Sequence, residues 1–397
     1  MNPAIAASET PVATSLSDWL KVFIVTAGTF AMVTSEFLPV GLLARIAADV
    51  HRSVGELGLM VTTPGITAAI SAPVSAYILN RIDRRFILIG LTILIAFADL
   101  VVASVSDFAL ILLGRVLLGI AVGAFWSYSS TAGRRLVAPA DGNLAVAIIL
   151  GGISVGTVVG VPLGAYLGAL AGWRFPFFSA VGLAGVVAVL QFFVLPALPN
   201  IGGSRNLNFG ELLHIRGLKV GFAAITLVVL GHFAGYTYLE DFVELAAKPT
   251  ASQLSWILGA YGAAGLVGTF VGERLTRLTP SLALPVVAAL LTVSLLWSLT
   301  MPHSWVVILA PVIFWGAAYG ALPVCARIWL FNAAPQQAEL VSAVYVSIFQ
   351  FALAAGAFTG GLVVDRAGIP ATLGYGATAA TLGGLIMLAT AARKKAA

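Results

Sequence analysis

Residues 112–126 read LLGRVLLGIAVGAFW, and one arginine, Arg115, stands in a run that is otherwise apolar or glycine. Its nearest charged neighbours along the chain are Asp107 and Arg134. The solvent around this stretch decides the fold. In water such a helix would be ordinary, but an unpartnered arginine near the middle of a bilayer costs at least about 2.5–3.5 kcal/mol. Composition settles which solvent applies. The 397 residues are 60% hydrophobic and 9% charged, with mean hydropathy +1.02, whereas soluble domains run to roughly 25% charged. Too little polar surface is left to cover a water-soluble globule, so the fold class is an all-α polytopic membrane bundle.

Working outward from Arg115, apolar windows long enough for a hydrocarbon core of about 30 Å fall at 20–44, 54–79, 86–105, 108–131, 143–168, 175–197, 218–240, 252–273, 280–300, 304–328, 339–363 and 370–392. The 42 glycines and 18 prolines are compatible with this, because neighbouring helices re-satisfy interrupted backbone in membranes. Small-residue pairs at four-residue spacing, Gly119/Gly123 and Gly156/Gly160, mark close helix contacts. The longest polar break, 198–217, leaves six spans on each side. The expected organisation is a tail at 1–19, a six-helix half at 20–197, a central loop at 198–217, a second half at 218–392 and a basic tail at 393–397. Loop sequences NRIDRR (80–85) and GERLTR (272–277) echo each other, consistent with a parallel repeat around a central cavity.

Orientation follows from basic residues in short loops. With the N-terminus inside, the cytoplasmic set is Lys21, Arg81, Arg84, Arg85, Arg134, Arg135, Arg205, Arg216, Lys219, Arg274, Arg277, Arg393, Lys394 and Lys395. The opposite set is Arg45, Arg52, Arg174, Lys248 and Arg366. Both termini are therefore expected in the cytoplasm. The net charge of +5 reflects this topology and contact with anionic lipid, not nucleic-acid binding. The opening residues lack the basic start and short apolar core of a cleaved signal, so the first span is expected to remain as a helix.

Several function classes recede. There is no G-x-x-x-x-G-K-[ST] phosphate loop. His51, His214, His232 and His303 are scattered over different segments, so no metal site is expected. The single cysteine, Cys325, excludes an intrachain disulfide and reads as a small buried residue. No cofactor is expected, and no assembled set of acid, base and nucleophile suggests an enzyme.

The intramembrane charges share a depth. Glu36 lies about 12 Å below the outer end of the first span at 1.5 Å per residue, Arg115 about 10 Å and Asp99 about 9 Å below the same face. Ionisable groups within spans mark ion or substrate paths, and an acid beside an arginine lets protonation be coupled to conformation. Structural alternatives stay open: Arg115 bridging helices or capping carbonyls, Glu36 as a hydrogen-bonding acid, and Asp99 pairing helices. For substrate, Phe125, Trp126, Tyr128, Phe233, Tyr236, Tyr238, Trp315, Tyr319 and Gln350 offer aromatic faces and an amide suited to a flat polar base joined to a sugar. Aromatic belts at the interfaces explain such residues equally well. His232 reads either as a substrate or titrating group or as a packed neutral histidine. Glu240 and Asp241 read as solvated loop acids, and Arg327 as snorkelling from an inner helix end.

The motifs carry a resemblance. LLGRVLLGIAVG (112–123) resembles the fourth-helix motif of the major facilitator superfamily, and GTVVGVPLGAYLG (156–168) its fifth-helix antiporter motif, with Gly156, Gly160, Pro162 and Gly164 in place and Val161 where a glycine is usual. TSEFLPVGLL (34–43) and GWRFPFF (172–178) resemble the drug:proton antiporter-1 group. In the loop after the second span, Arg84 and Arg85 match the gating pattern, while Asn80 replaces its aspartate and Asp83 its second glycine. HFAGYTYLEDF (232–242) agrees in the second half. DRRF (83–86), RRLVAP (134–139) and IFQFALAAGAFTGGLVVD (348–365) are similar to purine ribonucleoside efflux pumps, with sugar efflux transporters as near relatives.

The resemblance implies proton-coupled efflux of small polar metabolites, purine ribonucleosides first. It places proton coupling on Glu36 and Arg115, with Asp99 as the further candidate. A broad drug or sugar exporter is the transport alternative, and a membrane sensor on the same fold is the alternative from another class. The expected partners are a small-molecule substrate, protons and lipid, with the chain acting as a monomer in a bacterial inner membrane.

Overall fold

The computed structural model describes residues 14–79, 81–199, 215, 217–300, 304–335 and 338–396. Most of the 1–19 tail, Asn80 of the gating loop, most of the 198–217 loop and the side chains of the 393–397 tail lie outside the described residues. The described chain is helical throughout: α1 Leu16–Phe37, α2 Leu43–Val50, α3 Val54–Leu57, α4 Leu59–Ile78, α5 Arg84–Ser104, α6 Phe108–Arg135, α7 Gly142–Val155, α8 Val161–Ala171 and α9 Arg174–Val194 in the first half. The second half holds α10 Leu218–Tyr236, α11 Leu239–Ala247, α12 Ala251–Leu278, α13 Ala283–Leu299, α14 Trp305–Ala333, α15 Ala338–Ala367 and α16 Ile369–Ala396.

Among the described residues, eleven helical stretches are long and apolar enough to cross a membrane, and α13 is a shorter apolar helix. Its 17 residues reach about 25 Å at 1.5 Å per residue. Large apolar side chains face outward along the whole bundle, among them Ile70, Phe193 and Phe270, at 59%, 77% and 67% exposure. A surface of that kind is stable only against lipid tails.

The first and seventh predicted spans stop before their apolar windows end and pass into short helices. Pro39 ends α1, and Leu38–Gly41 tightens into a 3₁₀ turn before α2. Likewise α10 ends at Tyr236, before α11. The two halves repeat this device closely. Each short helix ends on a left-handed non-glycine residue, His51 at φ 53° and Lys248 at φ 44°. Two residues later each chain starts a new helix with a capping box, Ser53 with Glu56 and Thr250 with Gln253, a reciprocal pairing of side chains and backbone N–H groups.

Small residues set the tightest crossings at the same offset. A Cβ on Gly119 or Gly123 of α6 would fall 2.5 or 2.4 Å from the Pro64 or Ala68 carbonyl oxygen of α4. A Cβ on Gly316 or Gly320 of α14 would fall 2.2 or 1.8 Å from the Tyr261 or Gly265 carbonyl oxygen of α12. Both crossings are close backbone approaches that only glycine permits. The antiporter-motif glycines instead make room on the fifth span for side chains of α1 and of the turn that follows it. Cβ atoms on Gly156, Gly160 and Gly164 would meet Val33, Thr34 and Leu38 at 3.0, 2.3 and 2.2 Å. Between α7 and α8, Gly156–Gly160 forms a π-turn. Pro162 follows directly, and its missing N–H and its ring against the preceding turn account for that local widening.

Candidate functional site

Arg115 is fully buried, and its site is built by two prolines. Its Nε donates to the Met60 carbonyl at 2.7 Å, Nη1 to Ser35 at 2.8 Å and Nη2 to Glu36 at 2.6 Å. In a regular helix the Met60 oxygen would accept from residue 64 and the Ser35 oxygen from residue 39, and both are prolines without an N–H. The Glu36 oxygen loses its 3₁₀ donor to Pro39 as well. Arg115 therefore supplies three donors where the helices lack them, and it ties α6 to α1 and α4. Among the described residues, no carboxylate oxygen lies within ion-pair reach of its guanidinium. Of the open alternatives, the geometry is that of a carbonyl cap that also bridges helices.

The two acids join the same network by their neighbours. The Ser35 hydroxyl donates to Asp99 Oδ2 at 2.5 Å, with Asp99 fully buried on α5. Glu36, 3% exposed, accepts at Oε1 from Gln350 Nε2 of α15 at 2.9 Å. The structure thus brings Asp99, Arg115 and Glu36 together through two adjacent residues of α1, and it carries the chain of hydrogen bonds across to the second half.

Two cavities adjoin this network. One, of about 120 Å³, is walled by Val33, Glu36, Phe37, Trp126, Ile153, Tyr319, Pro323, Arg327, Tyr345, Val346, Phe349 and Gln350. The other, of about 240 Å³, shares Ile153, Tyr319, Pro323 and Arg327 and adds Ser154, Thr157, Tyr261 and Thr269. Trp126, Tyr319 and Gln350, proposed from sequence, are on these walls. Phe125, Tyr128, His232, Tyr236 and Trp315 are not. Phe125 is buried facing Gly28 of α1, and Tyr128 donates to the Ser75 carbonyl at 2.8 Å. His232, Tyr236 and Trp315 form a buried layer behind Tyr319 and Tyr261. Arg327 does not snorkel outward. It faces the cavities, its guanidinium 5.7 Å from the Tyr345 ring centroid, and its Nε and the Tyr345 hydroxyl have no hydrogen-bond partner among the described residues.

Sequence reading missed Tyr261, Phe349, Tyr345, Ser154 and Thr157. The signal for Tyr261 was present as a lone polar aromatic among small residues in LGAYGAAG (258–265), a pattern that leaves a side chain standing over open space. Asp83, Arg84 and Arg85, which match the gating pattern in sequence, make their bonds within the first half. Asp83 caps α5 at Arg85 N at 2.8 Å and accepts from Leu198 N at 2.9 Å, while the Arg84 N–H donates to the Leu198 carbonyl and Arg85 to the Phe192 carbonyl.

At the end of the bundle that carries α2, α3 and α11 the halves are sealed. Arg45 pairs with Glu240 at 2.8 Å and Glu244 at 3.5 Å. The Tyr238 hydroxyl, bonded in its own half to the Ala357 carbonyl at 2.9 Å, also reaches the Gly55 carbonyl of the first half at 3.5 Å, and Ser53 donates to Asp365 at 3.0 Å. Glu240 and Asp241 are therefore not solvated loop acids. They are 1% and 4% exposed, because α11 folds back over the first half. Burial, followed by the charge of Glu244, pushes the Asp241 carboxyl up to about 7.

A helical membrane bundle in two repeated halves, sealed at one end and holding between them a largely apolar cavity with a few polar groups on its walls, is the architecture of a secondary transporter. The sequence profile of the major facilitator superfamily matches residues 25–357, and the chain belongs to that family. It is 32% identical to the purine ribonucleoside efflux pump NepI of Salmonella typhimurium over 389 residues, 98% of this chain and 96% of that one. It is also 32% identical over 386 residues to a Pseudomonas aeruginosa protein named transcription regulatory protein OpdE, covering 95% of this chain and 94% of that one. Among solved structures, the nucleoside transporter NupG superposes with TM-score 0.77 at 12% identity, over 93% of this chain and 98% of that one. The xylose transporter XylE from E. coli superposes with TM-score 0.72 at 15% identity, over 94% of this chain and 98% of that one. These likenesses establish the fold.

Proposed function

We propose that this chain exports purine ribonucleosides in exchange for protons. The observation that carries the reading is Glu36. Its carboxyl forms part of a cavity wall and accepts a hydrogen bond from Gln350 of the other half. A carboxyl so placed senses both proton and substrate, and its bond to Gln350 must be remade when the halves rock, so loading it biases the conformation. Trp126, Tyr319 and Phe349 offer flat faces for a base, and Gln350, Ser154 and Thr157 offer hydrogen bonds for a sugar. The names of the Salmonella relatives support the substrate class.

On this reading the sealed end faces outward, the termini and the 198–217 loop are cytoplasmic, and the membrane is a bacterial inner membrane. One copy contains the whole cavity, so a monomer suffices. Asp99, held by Ser35, is the second acid available for the proton. Asp83, Arg84 and Arg85 stiffen the cytoplasmic end of the first half. The name of the Pseudomonas relative favours a second reading, a membrane regulator on the same fold.

Reconstituted vesicles loaded with labelled inosine and given a pH gradient test the proposal. Gradient-driven movement of inosine supports it. Movement of cationic dyes or sugars without inosine supports the broad exporter, and movement of no solute supports the regulator. Orientation is tested by a cysteine at position 206 in a Cys325→Ala background, and labelling by an impermeant reagent outside intact cells overturns it.

A further inference from the structure

Behind the wall of the larger cavity, three side chains from three helices fix the direction of a hydrogen-bond chain. Trp315 Nε1 of α14 lies 3.0 Å from His232 Nδ1 of α10, and His232 Nε2 lies 3.4 Å from the Tyr261 hydroxyl of α12. An indole N–H is a donor only, so Nδ1 must present its lone pair. A neutral imidazole then carries its proton on Nε2, and an imidazolium would set two N–H groups against each other. The Nε2–H donates to the Tyr261 oxygen, and the Tyr261 proton is left to be given elsewhere.

The ring has no freedom to reverse this. Tyr319 stacks on His232 with centroids 4.0 Å apart and planes 5° from parallel. Gly235, whose Cβ would stand 3.1 Å from the Trp315 ring, leaves the indole the room it needs to reach Nδ1. His232 is fully buried, so water does not compete for either nitrogen.

We propose that Trp315 and His232 are positioning residues that make the Tyr261 hydroxyl an obligate donor into the cavity, so that the site selects bases carrying an acceptor at that point. The inference rests on the cavity being the substrate site. It goes beyond that reading by assigning a direction to one recognition contact. Tyr261 would favour a ligand presenting a ring nitrogen or carbonyl oxygen and reject one presenting an N–H there, which would leave two donors facing each other.

Two measurements test it. The first needs no substrate: nitrogen NMR of histidine-labelled protein in nanodiscs at about pH 7, with the His232 signals assigned by their loss in His232→Gln. The expected result is an unprotonated Nδ1 and a protonated Nε2 in the unsubstituted protein, with Trp315→Phe releasing the Nδ1–H form. A protonated Nδ1 or an imidazolium in the unsubstituted protein overturns the proposal.

The second measures binding of inosine, 3-deazainosine, 7-deazainosine and purine riboside, which lacks the 6-oxo group. Tyr261→Phe is expected to weaken inosine about tenfold, and to have no effect on the one analogue that lacks the partner acceptor. Trp315→Phe, which does not touch the cavity, should weaken inosine in the same direction. Equal losses for inosine and all three analogues overturn the proposal. If the unsubstituted protein fails to bind inosine, the substrate reading falls, and the tautomer alone decides the relay.

Discussion

Gln350 donates its amide to the Glu36 carboxyl at 2.9 Å, joining α15 of one half to α1 of the other beside the cavity. Neither residue can move with its own half and keep this bond. Glu36→Gln mimics the protonated acid at constant size. It is expected to retain inosine binding within about tenfold, or about 1.4 kcal/mol, to retain exchange of labelled for unlabelled inosine, and to lose uphill export driven by a pH gradient. Transport against external pH in vesicles is the measurement. A Glu36→Gln protein that concentrates inosine with unchanged pH dependence removes Glu36 from the coupling and moves attention to Asp99.

Arg115 and the two prolines form a single structural unit, and this can be tested by stability. Arg115→Met strands three buried carbonyls at about 1–3 kcal/mol each, so a substantially lowered melting temperature is expected. Pro64→Ala in that background returns an N–H to the Met60 oxygen and should recover roughly 1 kcal/mol. Thermal melts of the single and double variants in the same detergent decide it. No recovery in the double variant would mean that the prolines do not create the need for the arginine.

The cost posed by Arg115 was legible in the sequence, and so was the shared depth of Glu36 and Asp99, because helical rise and span ends fix depth. The answer to that cost was also written there. A proline four residues after Ser35 and another four after Met60 each release a carbonyl, but nothing in one sequence says that these carbonyls lie beside position 115. The capping boxes Ser53–Glu56 and Thr250–Gln253 were equally readable and betray the repeat better than the basic loops do. Burial at Glu240 and Asp241 was not readable. It depends on α11 folding across to Arg45 of the other half, a contact between residues nearly two hundred positions apart. Arg327 misled for a related reason, since depth near a helix end predicts snorkelling and only the direction of the side chain shows that it meets a cavity.

The fifth span should tolerate no side chain where it crosses α1. A Cβ on Gly160 would sit 2.3 Å from Thr34 Oγ1, which is already buried without a partner among the described residues. Gly160→Leu is expected to insert in the membrane yet fail to export, because the added side chain wedges the span from α1 two residues before Glu36. Expression measured against export separates this from simple loss of protein. Full export by Gly160→Leu would mean that the close contact is dispensable.

The sealed end should respond to pH through Asp241. In the sealed arrangement its carboxyl titrates at about 7, against 3.8 for the solvated group. A raised value means that the sealed form holds the proton more tightly than an opened, solvated form. The seal is thus fully favoured below about pH 4 and loses support as pH rises through about 7, by an amount on the order of 4 kcal/mol at 1.36 per unit. The groups around it are Glu240, Glu244 and Tyr238 on its own side and Arg45 across the interface. Spin labels at positions 52 and 366, on opposite halves at this end, report the seal in a Cys325→Ala background. Distances should be short at pH 5 and shift toward a longer population at pH 8, while Asp241→Asn should stay short at both. If the unsubstituted protein gives the same distances at both pH values, the buried carboxyl does not govern the seal. If Asp241→Asn still opens at pH 8, the response belongs to Glu240 and its bond to Arg45.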